Sequence, residues 1–555
     1  MISDVPPAVL GQQPVVTPGE HETGTSHVGG HLFVIDGDIT RLQSDAWLLP
    51  TDDHFQIASA FVAAVGMTSP GTLPATHRAE WGTHVVQLLR NDHESDAANS
   101  QIWLGRVGAG DLTEPQRLIH CARDFVRLSA ADARRRVSDC RPVLAMPLIG
   151  SGEGGNRKWR GELLKALIPE LVGAAAKNNV DIILVMWGPV AFAAAQAARR
   201  FALGGDEWFR QVFVNEIGSE LVGRALALAN RARSGDLVVF IGAGVSASAG
   251  LPAWQQLLDL VALQIDYDPK LLPHLHDLDV RDQAAVLKGD EQNHQRFADA
   301  VASSLNAGRY SLLHGLIASL PVNETVTTNF DTLFEVAAST AGRSLAVIPG
   351  ATIRAGDRWL VKLHGTLGSD LVLTRGEYRN AGLTQGALFG LVQALLITRH
   401  MLFVGYSLRD EDFNNLIHEV RAVRSADKGT TSAFGTVLTL FNNPAFAALW
   451  PDLDIVASSA QEPTIVADVV QPASMDSLLD SSRRQAILLD LVAAEACSRT
   501  SFITDPRYDN LRDEDEASLA AAIEVLRDAL SHRKGSRSDW SEVEDFLKTF
   551  GIGDD

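Results

Sequence analysis

Cysteine is scarce: Cys121, Cys140 and Cys497 are the whole complement of a 555-residue chain, and they lie far apart. That spacing excludes a disulfide framework, and the lack of any CxxC pair excludes structural zinc held by paired cysteines. Positive charge is also short. Forty-eight Lys and Arg stand against 68 Asp and Glu, a formal charge of -20, which argues against nucleic acid or an anionic membrane as a direct partner. The most apolar stretch, 182–195, falls short of the ~20 residues that cross a bilayer and contains Pro189. The opening MISDVPPAVLGQQPVV lacks the basic start and apolar core of a secretory signal. The expectation is a soluble cytoplasmic protein.

What the chain does have is alternation. Its 46% hydrophobic and 21% charged residues are globular averages, and its length suits two or three domains. Residues 1–28 show no periodic apolar pattern and are expected to form a disordered tail. Over 29–205, strand patterns (HLFVI, AWLLP, VLAMPLI, DIILVMW) accompany a helical spacing at Leu163, Leu164, Leu167, Leu171 and Val172. Pro169 predicts a kink or a late start in that helix. Over 206–460 the pattern predicts helices at 217–232, 257–265 and 388–398, with LVVFI, TVTTN, RWLVKLHG and HMLFVGYS as strands. Strands alternating with helices predict α/β layers. Residues 461–555 carry two amphipathic helices around an acidic linker near 504–516. Their faces are too small for a separate core, so they are expected to pack on the catalytic unit or on another subunit.

The chemistry is concentrated at strand ends. LVVFI runs into Gly242-Ala243-Gly244, where a strand gives way to a helix and free N–H groups can face a phosphate. The next glycine is Gly250, so the loop departs from the dinucleotide fingerprint GxGxxG. Thr328, Asn329 and Asp331 follow TVT, His364-Gly365 ends RWLVKLHG, and Gly405-Tyr406-Ser407 ends HMLFV. Ligands of open parallel sheets sit at the carboxyl edge of the strands. Four polar or glycine-rich segments at that edge therefore converge on one crevice, predicting a shared nucleotide site.

GAGVSASAGLP, TTNFD, KLHG and VGYSLRDEDF, in that order, resemble the sirtuin fold, and within it the bacterial sirtuin-like NADase branch; LVLTRGEY fits the same branch. The resemblance spans about 210–460 and implies a Rossmann-like sheet that binds NAD+ as substrate. Gly242, Ala243 and Gly244 would lie at the pyrophosphate, and Asn329 would hold the nicotinamide ribose or the attacking water. Asp331 would contact the carboxamide, His364 would act as general base, and Ser407 would approach the adenine-side ribose. Ser246, Pro252, Trp254, Thr328 and Gly405 complete the implied cofactor shell. Protein deacylases of this family carry a zinc lobe built from two cysteine pairs, whereas no cysteine lies between His364 and Gly405. The departure implies no zinc, no other metal, and water as the nucleophile. Nicotinamide leaves readily because its ring nitrogen is cationic, and charge then builds on the ribose. A histidine with a reference pKa near 6.5 can accept the proton.

The first region resembles a macro domain. GDIT at 37–40 matches that family's opening, and PLIGSGEGG at 147–155 matches its diphosphate loop. Asp38 and Ile39 would then meet an adenine, while Ser151, Gly152 and Gly154 would cradle a diphosphate. Leu49-Pro50-Thr51-Asp52-Asp53 stands where macro domains usually place asparagines, which argues against ADP-ribosyl hydrolysis.

Together the two resemblances imply an NAD+ hydrolase of antiphage defence. An N-terminal macro-like module would sense an ADP-ribose-type nucleotide and gate the sirtuin-like domain, in a homo-oligomer that answers to a phage protein or a partner ATPase. The alternatives are a protein deacylase or ADP-ribosyltransferase, and a non-catalytic nucleotide-sensing scaffold working with an ATPase or an Argonaute.

Overall fold

Two sheets, one from each half of the chain, take up the buried strand patterns. The computed structural model describes residues 29–89, 100–108, 115–136, 140–150, 159–290, 293–339, 344–354, 356–368, 371–384, 386–424, 433–459, 465–466, 469–470, 474–531, 543, 546–547 and 549–550. The expected tail over 1–28 lies outside the described residues.

The first sheet contains β1 (Leu32–Asp36), β2 (Ala46–Thr51), β3 (Val85–Gln87), β4 (Gln101–Arg106), β5 (Val143–Pro147) and β6 (Asp181–Met186). Their order is β1-β6-β5-β2-β4-β3. All pairings are parallel except β3 against β4. Every residue of β1 and β6 is buried, as expected for parallel strands covered on both faces. Helices α1 (Gln116–Arg136), α2 (Arg160–Asn178) and α3 (Pro189–Ala202) accompany this sheet. Helix α2 neither starts late nor stops at Pro169. Its buried Leu163, Leu164, Leu167, Ile168 and Leu171 hold the turn whose hydrogen bond proline removes.

The second sheet contains β7 (Leu237–Ile241), β8 (Glu324–Thr327), β9 (Leu345–Ile348), β10 (Arg358–Lys362), β11 (His400–Val404), β12 (Gly435–Thr439) and β13 (Leu453–Ala457). They run in the order β9-β10-β8-β7-β11-β12-β13, wholly parallel. One apolar core extends from the first sheet to one face of the second; a separate cluster covers the other face.

Between the sheets lie α4 (Asp206–Ile217), α5 (Ser219–Arg233) and, from the far end of the chain, α6 (Met475–Ala496). Helix α6 packs on α4, α5 and β1, and its residues Gln485–Ala496 are all buried. A buried charge cluster fastens it. Arg199 reaches the Asp490 carboxylate at 3.1 and 2.8 Å. His31 places Nδ1 2.6 Å from Glu216 and Nε2 2.9 Å from Asp490. Burial disfavours the charged imidazole, but the two carboxylates outweigh it and raise the His31 pKa. Two cations thus balance two anions, which is what a buried cluster requires.

Candidate active site

Strand β7 is fully buried and stops at Gly242, whose N–H donates to Val404 at the end of β11. The Gly244 N–H donates to the Gly405 carbonyl at 2.9 Å, and Gly405 itself has φ of +64°. The two loops touch backbone to backbone. A Cβ at position 242 would sit 2.4 Å from the Gly405 oxygen, and one at 244 would sit 2.9 Å from its Cα. The glycines are therefore demanded by this close approach as well as by any phosphate. Ala243 and Gly244 remain exposed while Ser246 is buried.

Asn329 meets this loop from the end of β8. Thr327 anchors the turn: its hydroxyl donates to Ile241 O at 2.8 Å and accepts from the Asn329 N–H at 3.0 Å. The Asn329 amide nitrogen then donates to Gly242 O at 3.1 Å and to Ser246 Oγ at 3.0 Å. Both amide hydrogens are thereby engaged, which fixes the carbonyl end as an acceptor for an O–H group. Asp331 is buried and braces the arrangement: Oδ2 accepts from Ser246 at 2.7 Å and Oδ1 accepts from the Leu333 N–H at 3.0 Å.

Lys362, in the last position of β10, is 1% exposed. Its ammonium donates to the carbonyls of Phe330 (3.3 Å) and Asp331 (2.5 Å) and to the Glu335 carboxylate (2.6 Å). It pins the turn that carries Asn329. Two residues on, His364 is buried, with Nδ1 3.4 Å from the Tyr378 hydroxyl and Nε2 3.5 Å from Asp410 Oδ2. Burial lowers the His364 pKa, and Asp410 opposes this only in part. The ring is accordingly neutral at neutral pH and able to accept a proton. Asp410 is held in turn, its Oδ1 accepting from the Phe413 N–H at 3.1 Å.

An aromatic file lines this edge: ring centroids are 5.8 Å apart for Trp254 and Phe330, 6.4 Å for Phe330 and His364, and 5.0 Å for His364 and Tyr378. Pro252 and Thr328 are half-buried, and Ser407 is exposed. The structure thus joins Gly242, Ser246, Asn329 and Asp331 by hydrogen bonds, and sets Gly405 against their loop. Lys362, Tyr378 and Asp410 have no assigned role in the sequence motifs. The signal for Lys362 was a charge inside an apolar strand, which requires a buried partner.

Residues 323–450 match the family model described as a SIR2-like domain. Across 229 residues it is 25% identical to defense-associated sirtuin 2 of Bacillus subtilis, covering 39% of this chain and 22% of that protein. It is 27% identical over 202 residues to the NAD(+) hydrolase ThsA of Cytobacillus dafuensis, covering 34% and 39% of the two chains. The corresponding protein of Enterococcus faecium is 28% identical over 200 residues, covering 34% and 41%. The matched regions thus span well under half the length of these relatives. Among the described residues, no group of three or more His, Cys, Asp or Glu is arranged to hold a metal ion. No described helix is long and apolar enough to cross a membrane.

A cavity also opens at the carboxyl edge of the first sheet. It measures about 870 Å³ and is lined by Gly37, Asp38, Ile39, Gly150 and Trp187, among others, and by Pro50, Thr51 and Asp52 from the end of β2. Asp38 and Ile39, expected at an adenine, are among its lining residues. Ser151, Gly152 and Gly154 lie outside the described residues. Trp187, absent from the sequence assignment, is 62% exposed although it lines the cavity. No Lys or Arg is among the described lining residues.

Proposed function

We propose that this chain is an NAD+ hydrolase that cleaves the nicotinamide–ribose bond, giving nicotinamide and ADP-ribose, and acts as a defence effector by depleting NAD+. The observation that carries this reading is the fixed Asn329. Its amide nitrogen is held by Gly242 O and Ser246 Oγ, so its carbonyl oxygen is presented to a water or a ribose hydroxyl. A carbonyl held in advance costs no reorganisation as charge develops on the sugar. His364, neutral through burial, takes up the proton. Gly242, Ala243 and Gly244 lie at the pyrophosphate, with Ser246, Thr328, Pro252, Trp254, Gly405 and Ser407 around the dinucleotide. Asp331 holds Ser246 and, through it, the glycine loop. The relatives named NAD(+) hydrolase support the substrate.

In the same reading, residues 29–205 form a nucleotide-sensing domain, 206–460 the catalytic domain and 461–555 a helical region. The cavity beside Asp38 and Ile39 takes an ADP-ribose-type nucleotide. With no described basic side chain in its lining, its anion contacts fall to backbone amides. Asn329→Ala and His364→Ala test the catalytic assignment. Each is expected to abolish NAD+ loss in cells while the purified variant keeps the wild-type circular dichroism; undiminished NAD+ loss in both would reject it.

A further inference from the structure

The two sites are joined by one residue. Tyr310 is fully buried, and it grips the strand-to-helix turn of the first cavity at four points. Its hydroxyl accepts from the Asp38 N–H at 2.9 Å and donates to the Asp38 carbonyl at 3.0 Å. Its own N–H donates to Arg41 O at 2.8 Å, and its carbonyl accepts from the Gln43 N–H at 2.8 Å. Gly37 has no side chain at the point of contact: a Cβ there would lie 2.5 Å from the Tyr310 oxygen. Burial pushes the phenol pKa up, so the hydroxyl keeps its proton and serves as donor and acceptor together.

On its other side Tyr310 leads directly into the glycine loop. Ser311 Oγ lies 2.7 Å from Ser248 Oγ and 2.9 Å from His314 Nδ1. The Ser248 hydroxyl donates to Val245 O at 2.6 Å. Val245 adjoins Ser246, which holds both Asn329 and Asp331. An unbroken path of covalent links and short hydrogen bonds thus runs from the Asp38 backbone to the Asn329 amide. The neighbouring tie, from the Asp36 N–H to Ser319 Oγ at 2.9 Å, ends instead on Gly315 O within the helix that follows Tyr310.

We propose that Tyr310 is a positioning residue shared by both sites, which transmits the arrangement of the Gly37–Thr40 turn through Ser311 and Ser248 to the glycine loop that sets Asn329. A nucleotide seated against Asp38 must accommodate or displace a turn that Tyr310 holds, and any displacement reaches the second loop through contacts with little slack. The purpose of this tie rests on the two-site function proposed above; its geometry does not. Coupling of this kind is reciprocal, so each end must respond to a change at the other.

Amide hydrogen exchange on the full chain tests the tie without any ligand. Tyr310→Phe removes only the hydroxyl, and Gly37→Ala pushes on the same oxygen from the first cavity. Both are expected to speed exchange across 242–251 at least fivefold. Ser248→Ala, made at the other end, is expected to speed exchange across 37–43 by a similar factor. Should Tyr310→Phe fail to fold, Gly37→Ala and Ser248→Ala interrogate the same path from either side. Changes confined to the end that carries each substitution would overturn the proposal. ADP-ribose supplies a further arm: it is expected to alter NAD+ turnover in the wild type and to do so at least fivefold less in Tyr310→Phe. If ADP-ribose does not bind the wild type, the nucleotide assignment of the first cavity fails, and the exchange result still decides the role of Tyr310.

Discussion

Substituting Gly242 by alanine perturbs the edge proposed as the active site by an amount the geometry fixes. The new methyl would stand 2.4 Å from Gly405 O and 2.6 Å from Tyr406 Cα, against 3.4 Å or more for ordinary contact. Those neighbours are backbone and cannot rotate away, so one loop must retreat by about 1 Å. Asn329 follows, because its amide donates to Gly242 O. Displacing a positioned catalytic group by about 1 Å costs roughly 10²-fold in rate, equivalent to ~2.7 kcal/mol of transition-state stabilisation. The overpacking itself costs about 1–3 kcal/mol of stability. Nicotinamide release from NAD+, measured beside urea unfolding, reads both. Gly223→Ala is the control, since a Cβ there meets nothing within 4 Å on an exposed helix face; it is expected to gain about 0.5–1 kcal/mol of stability and leave turnover alone. A Gly242→Ala variant with turnover within about threefold of wild type would refute the argument that this close approach sets the site.

Other substitutions test the buried charges. Lys362→Met leaves Glu335 and two turn carbonyls without their ammonium and is expected to cost roughly 3 kcal/mol in urea unfolding; adding Glu335→Leu should recover part of the stability but not the turnover. His314 is buried, and burial lowers its pKa to about 4, with the Asp331 charge opposing. The unfolded chain therefore binds that proton first, and stability falls by up to ~1.4 kcal/mol per pH unit as pH drops from about 6.5 towards 4. A His314→Gln variant whose acid slope equals the wild type's would contradict this. His31 has the opposite sign: its raised pKa gives stability that is present below pH ~6.5 and is lost as pH rises through the folded value. His31→Gln should flatten the alkaline limb in urea unfolding, and an unchanged limb would show that the cluster does not titrate there.

Much of the second sheet is legible in sequence because its central strands are continuous apolar runs that end in glycine or polar motifs. Strands β7, β8, β10 and β11 appear at LVVFI, TVTTN, RWLVKLHG and HMLFVGYS. The strands at 435–439 and 453–457 were not resolved from the sequence, since short runs such as GTVLT and LDIVA are weakly distinguished from loops. Helix α1 was also missed: its eight basic and acidic side chains dilute the apolar face made by Leu118, Ile119, Ala122, Phe125 and Val126. Asn329 and the glycine loop could be paired from strand-end logic alone. Tyr310, Tyr378 and Asp410 could not, because their partners are distant in sequence and only the folded chain brings them together. The packing of α6 against the rest of the chain was expected from its amphipathic pattern; the burial of its polar Gln485, Asp490 and Glu495 was not, and Asp490 is fully buried against Arg199 and His31.

The most direct test of the central claim is the product balance when purified full-length protein is given NAD+ and no acyl-peptide. Nicotinamide and ADP-ribose should appear in equal amounts with water as the sole acceptor, and neither should appear with Asn329→Ala. Release that depends on an added acyl-lysine peptide, or that persists in Asn329→Ala at the wild-type rate, would contradict the account.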